Sequence, residues 1–206
     1  MTPRTISMPP LYGIVDAAFF ATLEELVVFA RELTNGGCSL LQYRNKKGSA
    51  RVIQDQSREL RRFINAKWIM NDRADLCVAC EFDGLHLGQD DLRPVYARCI
   101  LGPEPWLGIS THNPEQLEEA DASGADYLAV GPVFATSTKE NPDPVIGLQG
   151  VRQARALTRK PLVAIGGITR ANAASVIQAG ADSVAVISDL LREPRKSAEE
   201  FFRVLR

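Results

Sequence analysis

Eight short apolar runs recur along this chain, and each is followed by a longer stretch with helical periodicity. The runs cover residues 11–15, 39–43, 68–70, 84–87, 106–109, 127–130, 162–165 and 183–187. Each is too short for a stable helix and is apolar at consecutive positions, the pattern of a strand covered on both faces. Strands that alternate with helices pair in parallel, because parallel neighbours need a long crossover between them. Eight such units in 206 residues predict an α/β fold closed as a (β/α)8 TIM barrel, with an open doubly wound sheet as the structural alternative. No break in composition marks a linker. Residues 1–206 therefore read as a single barrel domain, with 1–10 as a short N-terminal extension.

The helical stretches carry their own start and stop signals. Residues 22–33 place Leu23, Leu26, Val27 and Ala30 on one face and end at Asn35-Gly36-Gly37. Residues 51–64 repeat the pattern through Val52, Leu60, Phe63 and Ile64. Asn113 and Pro114 open another helix with a cap and a first-turn proline. Thr169 is the expected cap of a helix over 171–179, and the last helix spans about 194–205. The longest irregular stretch is 134–148, and a loop of that length in a compact domain is usually functional.

Composition narrows the class. With 45% apolar and 24% charged residues, the chain can bury a core of ordinary size. A net charge of −1 provides no overall field for nucleic acid or an acidic membrane, so an anionic ligand has to be met by local charges. No apolar run approaches the roughly 18 residues needed to span a bilayer. The first ten residues lack the apolar core of a signal peptide, which makes a cytoplasmic enzyme the expectation. Cys77 and Cys80 form a C-x-x-C without a second such pair or paired histidines, so all four cysteines are read as small core residues. A homo-oligomer is compatible with the sequence, which does not specify one.

In a barrel of this kind the chemistry gathers at the carboxyl ends of the strands, and polar residues are concentrated there. After the second run come Gln42, Arg44 and Lys46, which alternate along the strand and so share one face. An amide with two cations suits a strongly anionic group such as a diphosphate. Asn71 and Asp72 follow the third run, and Asp90 and Asp91 follow the fourth. Carboxylates from neighbouring strand ends can share one hard cation, magnesium being the natural one. Asp72 with Asp91, or with Asp90, is that pair; the competing reading has Asp72 capping the next helix beside Arg73. His86, inside a strand, reads as a hydrogen-bonded core residue, and His112 is left without a role. Ser110, at the end of the fifth run, is placed to hydrogen-bond a ligand. Thr136, Ser137, Thr138 and Lys139 form a hydroxyl-rich segment with an ammonium, suited to clamping phosphate. Gly166-Gly167 after the seventh run and Ser188 after the eighth occupy the loops where many barrels seat a phosphate on backbone N–H groups. No Ser–His–Asp order or nucleophile elbow is present.

Taken together and in order, five segments resemble the thiamine-phosphate synthase family. They are Gln42-Tyr43-Arg44-Asn45-Lys46, Asn71-Asp72-Arg73-Ala74-Asp75, Gly84-Leu85-His86-Leu87-Gly88-Gln89-Asp90-Asp91, Gly131-Pro132-Val133-Phe134 running into Thr136-Ser137-Thr138-Lys139, and Ile165-Gly166-Gly167-Ile168. The resemblance covers nearly the whole chain, residues 11–205. It implies a transferase that joins hydroxymethylpyrimidine diphosphate to hydroxyethylthiazole phosphate, releasing diphosphate. It further implies that Gln42, Arg44, Lys46, Asn71, Ser110 and Lys139 hold the pyrimidine diphosphate. Asp72 and Asp91 would carry Mg2+, and Thr136, Thr138, Gly167, Ile187 and Ser188 would hold the thiazole phosphate. The family's mechanism is dissociative, which fits the absence of a strong nucleophile from the motifs. Two features depart from the family pattern: the proline-rich stretch after Lys139, and Cys77 with Cys80 where small apolar residues are usual. Two rivals remain, a thiazole phosphate tautomerase of the same superfamily and a non-catalytic binder of thiamine precursors. Neither needs a complete diphosphate and metal set.

Overall fold

The computed structural model describes residues 6–136 and 143–205. Eight parallel strands, β1 (Leu11–Asp16), β2 (Leu40–Arg44), β3 (Lys67–Asn71), β4 (Gly84–Leu87), β5 (Trp106–Thr111), β6 (Tyr127–Val130), β7 (Leu162–Ile165) and β8 (Ser183–Val186), close into a barrel. Closure is made by β8 pairing with β1, Leu11 opposite Val184 and Gly13 opposite Val186. The outer ring is α1 (Leu23–Asn35), α2 (Ala50–Phe63), α3 (Ala74–Ala79), α4 (Pro94–Leu101), α5 (Pro114–Ala122), α6 (Gly147–Leu157), α7 (Ala173–Gln178) and α8 (Pro194–Val204). Single 3-10 turns, Ala17–Phe19 and Ser188–Leu190, follow β1 and β8. The open-sheet alternative is excluded by the closed ladder.

All eight apolar runs are strands, and four of the strands continue past the run into polar residues. Asp16, Arg44, Asn71, and Ser110 with Thr111 extend β1, β2, β3 and β5. Apolarity marks where side chains are buried, whereas ladder hydrogen bonds run between backbones and continue under any side chain. Helix starts follow local chemistry. Thr22 and Glu25 form a capping box on α1, and the side chains of Ser49 and Asn113 accept from Val52 and Gln116 at the starts of α2 and α5. Thr169 is not the side-chain cap of α7: that helix begins at Ala173, and the Asn172 carboxamide instead accepts from the Thr169 N–H at 2.8 Å. The cysteines are free, with Cys38 and Cys77 buried as expected, while Cys99 is exposed. Burial pushes the Cys38 thiol up to about 11 and the Cys77 thiol up to about 12, so both stay protonated.

Strand alternation splits the core in two. Leu11, Val15, Leu41, Leu85 and Leu107 face outward and pack under the helices. Tyr12, Ile14, Leu40, Ile69, Trp106, Tyr127, Ala129, Val163 and Ala185 fill the barrel interior. Ile6, preceding β1, joins this interior cluster with Met8 packed against it, so the described residues just before β1 help to fill the barrel. Bulky interior rings need room from their neighbours. Gly108 supplies it for Tyr127, since a methyl group built at Gly108 would overlap the Tyr127 ring. Gly108→Ala should therefore destabilise the protein by about 1–3 kcal/mol through overpacking, read as a lower urea midpoint with an unchanged m-value.

Candidate active site

The carboxyl-terminal mouth of the barrel divides into two arcs. The first arc, from β1 to β5, carries charge. Gln42 and Arg44 do share the inward face of β2, with Gln42 buried and Arg44 half-buried. The Arg44 guanidinium is held by the carboxylate of Asp16, its register partner at the end of β1. Asp16 is 2% exposed and also accepts from the Ala18 N–H at 3.1 Å, which fixes it in place. Asp16 went unremarked in the sequence, although a carboxylate closing an apolar strand was the available signal. Asn45 shapes the turn that follows: its Oδ1 accepts from the Gly48 N–H at 2.7 Å and its Nδ2 donates to Gln56 at 3.0 Å. Lys46, just beyond the strand, reaches across to Asp72, with Nζ 2.5 Å from Oδ2.

Asp72 leaves β3 in the left-handed region, φ 63°, a conformation that Asp tolerates better than most residues and that clusters at functional sites. Its N–H donates to the His86 carbonyl at 2.9 Å, tying the end of β3 to β4. The helix-cap reading of Asp72 fails. Arg73 precedes α3 without a side-chain cap, and its guanidinium pairs with Asp75 at 2.6 Å. Asp91 accepts from the Gly88 N–H at 2.7 Å and faces Asp72. Burial first, then the neighbouring Asp72 carboxyl, hold Asp91 above the usual carboxylate range, against the pull of the Gly88 N–H and Lys46. Asp90 is exposed. Two facing carboxylates beside an ammonium supply hard oxygen donors, a set that suits magnesium. Among the described residues no group of three or more His, Cys, Asp or Glu converges.

Between these charges and the barrel floor runs a chain of buried polar side chains. Gln42 Nε2 donates to Tyr12 Oη at 2.9 Å, and Tyr12 Oη lies 3.1 Å from Tyr127 Oη. Tyr127 Oη is 3.0 Å from His86 Nδ1, and His86 Nε2 is 2.9 Å from Ser110 Oγ. His86 is thus the hydrogen-bonded interior residue expected. Desolvation lowers it to about 4, so the ring is neutral at physiological pH. Tyr12 and Tyr127 were missed as polar contributors, because an aromatic residue in an apolar strand reads only as packing.

The second arc, β6 to β8, is built from loops. Gly166 and Gly167 have φ values of 99° and 61°, open only to glycine without strain. A side chain at Gly167 would strike the carbonyl of Ala135, so the glycine pair lets the loop after β7 lie directly on the segment leading to Thr136. Phe134 N–H donates to the Gly166 carbonyl at 3.0 Å across that contact. Ile187 and Ser188 open the turn after β8, which Asp189 anchors by accepting from Arg170 N–H and Nε at 2.8 and 3.0 Å. Thr138 and Lys139 lie outside the described residues. His112 Nδ1 donates to the Gly131 carbonyl at 2.6 Å and its Nε2 lies 3.5 Å from Asp143, so it bridges the two ends of the segment after β6.

Comparison with known proteins decides the family. The model of the family described as thiamine monophosphate synthase matches residues 11–190. The chain belongs to the thiamine monophosphate synthase family. The thiamine-phosphate synthase of Koribacter versatilis is 58% identical over 205 residues, covering 97% of both chains. That of Moorella thermoacetica is 46% identical over 159 residues and 76% of each. The structure of a thiamine phosphate pyrophosphorylase from Pyrococcus furiosus superposes with a TM-score of 0.84 at 34% identity, over 95% of this chain and 94% of that one. At 13% identity and a TM-score of 0.73, a geranylgeranylglyceryl phosphate synthase from Thermoplasma acidophilum shares the fold alone. Among the described residues no helix is long and apolar enough to cross a membrane.

For this family member the facing carboxylates carry a consequence for stability. A carboxyl held above its unfolded-state pKa binds its proton more tightly in the folded protein. That stabilisation is complete below the unfolded value, about 3.9 for Asp, and is lost as pH rises through the higher folded value. Asp91→Asn keeps an acceptor for the Gly88 N–H and removes the charge. Without metal, the variant should melt at or above the wild-type temperature at pH 7, and its melting temperature should fall less between pH 4 and 7. A variant melting well below wild type at pH 7 would contradict the facing-carboxylate geometry.

Proposed function

We propose that this protein is a thiamine-phosphate synthase, joining hydroxymethylpyrimidine diphosphate to hydroxyethylthiazole phosphate with magnesium. The observation that carries the reading is the convergence of Asp72, Asp91, Arg44 and Lys46 on one arc of the mouth. The glycine-containing loops of the other arc, in a chain 58% identical to a synthase over nearly its full length, support it.

The reaction breaks the bond between the pyrimidine methylene carbon and the diphosphate oxygen, and the electron pair leaves with diphosphate. The thiazole nitrogen then supplies the pair that forms the new C–N bond. Gln42, Arg44, Lys46, Asn71, Ser110 and Lys139 hold the pyrimidine diphosphate, and the cations among them offset charge gathering on the leaving group. Asp16 keeps Arg44 aimed along the mouth, which spares the reorganisation a free guanidinium would need. Asp72 and Asp91 would hold magnesium, which when bound would supply positive charge to offset that of the departing diphosphate. Thr136, Thr138, Gly167, Ile187 and Ser188 seat the thiazole phosphate, placing the ring nitrogen toward the first arc. No protein nucleophile takes part, because both bonding changes occur between the substrates. A tautomerase has no diphosphate to hold, and a binder needs no metal pair.

Mixing purified protein with both substrates and magnesium should yield thiamine phosphate and diphosphate. Isomerisation of the thiazole without product would favour the tautomerase, and binding without turnover the precursor binder. Asp72→Ala should lower turnover by roughly two orders of magnitude or more while the fold persists by circular dichroism. Arg44→Ala should raise KM for the pyrimidine diphosphate and leave KM for the thiazole phosphate near its wild-type value. Equal loss of affinity for both would remove Arg44 from the diphosphate site.

A further inference from the structure

We propose that Gln42, Tyr12, Tyr127, His86 and Ser110 form a one-directional hydrogen-bond chain through the barrel interior, which fixes the His86 tautomer and makes the Ser110 hydroxyl a donor toward ligand. The inference rests on the reading that Gln42 and Ser110 bind the pyrimidine diphosphate, and it assigns Tyr12, Tyr127 and His86 as positioning residues for that site.

Direction follows from what each group is able to do. The Gln42 Nε2 only donates, so Tyr12 Oη accepts at 2.9 Å. Tyr12 then sends its own hydrogen to Tyr127 Oη, 3.1 Å away. Tyr127 in turn donates to His86 Nδ1 at 3.0 Å, which leaves that nitrogen as an acceptor. Neither ring nitrogen of His86 meets a carboxylate, and the ring is buried and stacked on Tyr127 with centroids 5.6 Å apart. A neutral imidazole has one proton, and with Nδ1 accepting it sits on Nε2, donating to Ser110 Oγ at 2.9 Å. Ser110 therefore receives one hydrogen bond from within and has its own hydrogen to give to the mouth. Diphosphate oxygens and pyrimidine ring nitrogens only accept, so a donor is the polarity they need.

Packing alone does not call for these hydroxyls. Phenylalanine at positions 12 and 127 would fill the same space without the desolvation that two buried phenols incur. A fully satisfied buried chain instead gains from mutual polarisation. The five residues come from five different strands, β2, β1, β6, β4 and β5, so the chain also locks the charged arc to the opposite wall. Turning the Gln42 amide over would reverse every arrow and make Ser110 an acceptor. Those two polarities are separable by experiment.

The chain has two histidines, His86 and His112, so nitrogen-15 histidine spectra of the unliganded protein are simple to assign with a His86→Gln variant as reference. The expected result is a His86 ring protonated on Nε2, and a ring protonated on Nδ1 overturns the proposal. Tyr127→Phe should release the tautomer preference, giving both forms, and should lower kcat roughly tenfold with KM for the thiazole phosphate unchanged. Since Tyr127 acts through Ser110, adding Tyr127→Phe to Ser110→Ala should cost little beyond Ser110→Ala alone. Losses that multiply in the double variant, or a Tyr127→Phe variant that keeps the wild-type tautomer, would overturn the chain. The wild-type spectrum needs neither a variant nor turnover. Absence of thiamine phosphate formation would thus count against the reaction, and the wrong tautomer against the chain.

Discussion

Closure of eight parallel strands into a barrel forces every second side chain into a space with no exit to solvent except at the two ends. That confinement governs the rest of the molecule. The interior has to be filled, because a void forfeits dispersion contacts, and anything polar inside has to find a partner there. This chain answers with large aromatic rings at Tyr12, Trp106 and Tyr127, with glycine at position 108 making room for one of them. The hydroxyls that come with those rings are satisfied by each other, by Gln42 and by His86. The same parallel arrangement brings all eight strand ends to one rim, so polar residues spread over 170 positions of sequence meet around a single opening.

Charge at that rim is arranged by mutual restraint. Arg44 is held by a buried aspartate, Lys46 by Asp72, and Asp91 by a backbone N–H and by its proximity to Asp72. In the proposed reaction none of these groups would have to be gathered when the diphosphate arrives, which is how fixed charges stabilise developing charge at low cost. The division of the mouth into a charged arc from β1 to β5 and a loop-built arc from β6 to β8 is what the proposed binding of two ligands calls for. One is rich in negative charge about to depart, and the other carries a single phosphate as a handle.

The glycine pair at 166–167 illustrates how a residue read from sequence for one contact also serves another. Glycine after the seventh strand was read as permitting a ligand to approach the backbone. In the structure its left-handed φ and missing side chain admit another part of the protein, the segment leading to Thr136. Fold-level consequences of a small residue depend on which neighbour arrives, and the neighbour comes from 32 residues earlier in the chain. Asp72 is a second case. Its position beside Arg73 suggested a local cap, yet a left-handed backbone turn sends its carboxylate to Lys46 and Asp91 instead.

By itself the sequence determined the number, order and type of the elements, because burial on both faces writes continuous apolar runs and amphipathic periodicity into the chain. It also placed Gln42, Arg44, Asn71, Asp72, Asp91 and Ser110 at strand ends, since each lies near the end of such a run or within four residues after it. Only the tertiary structure decided that Asp16 holds Arg44, that Lys46 turns to Asp72, and that two tyrosines join Gln42 to Ser110 through His86. Those pairings link residues 24 to 115 positions apart, and their geometry is set by strand register and barrel closure, which no local pattern of side chains encodes.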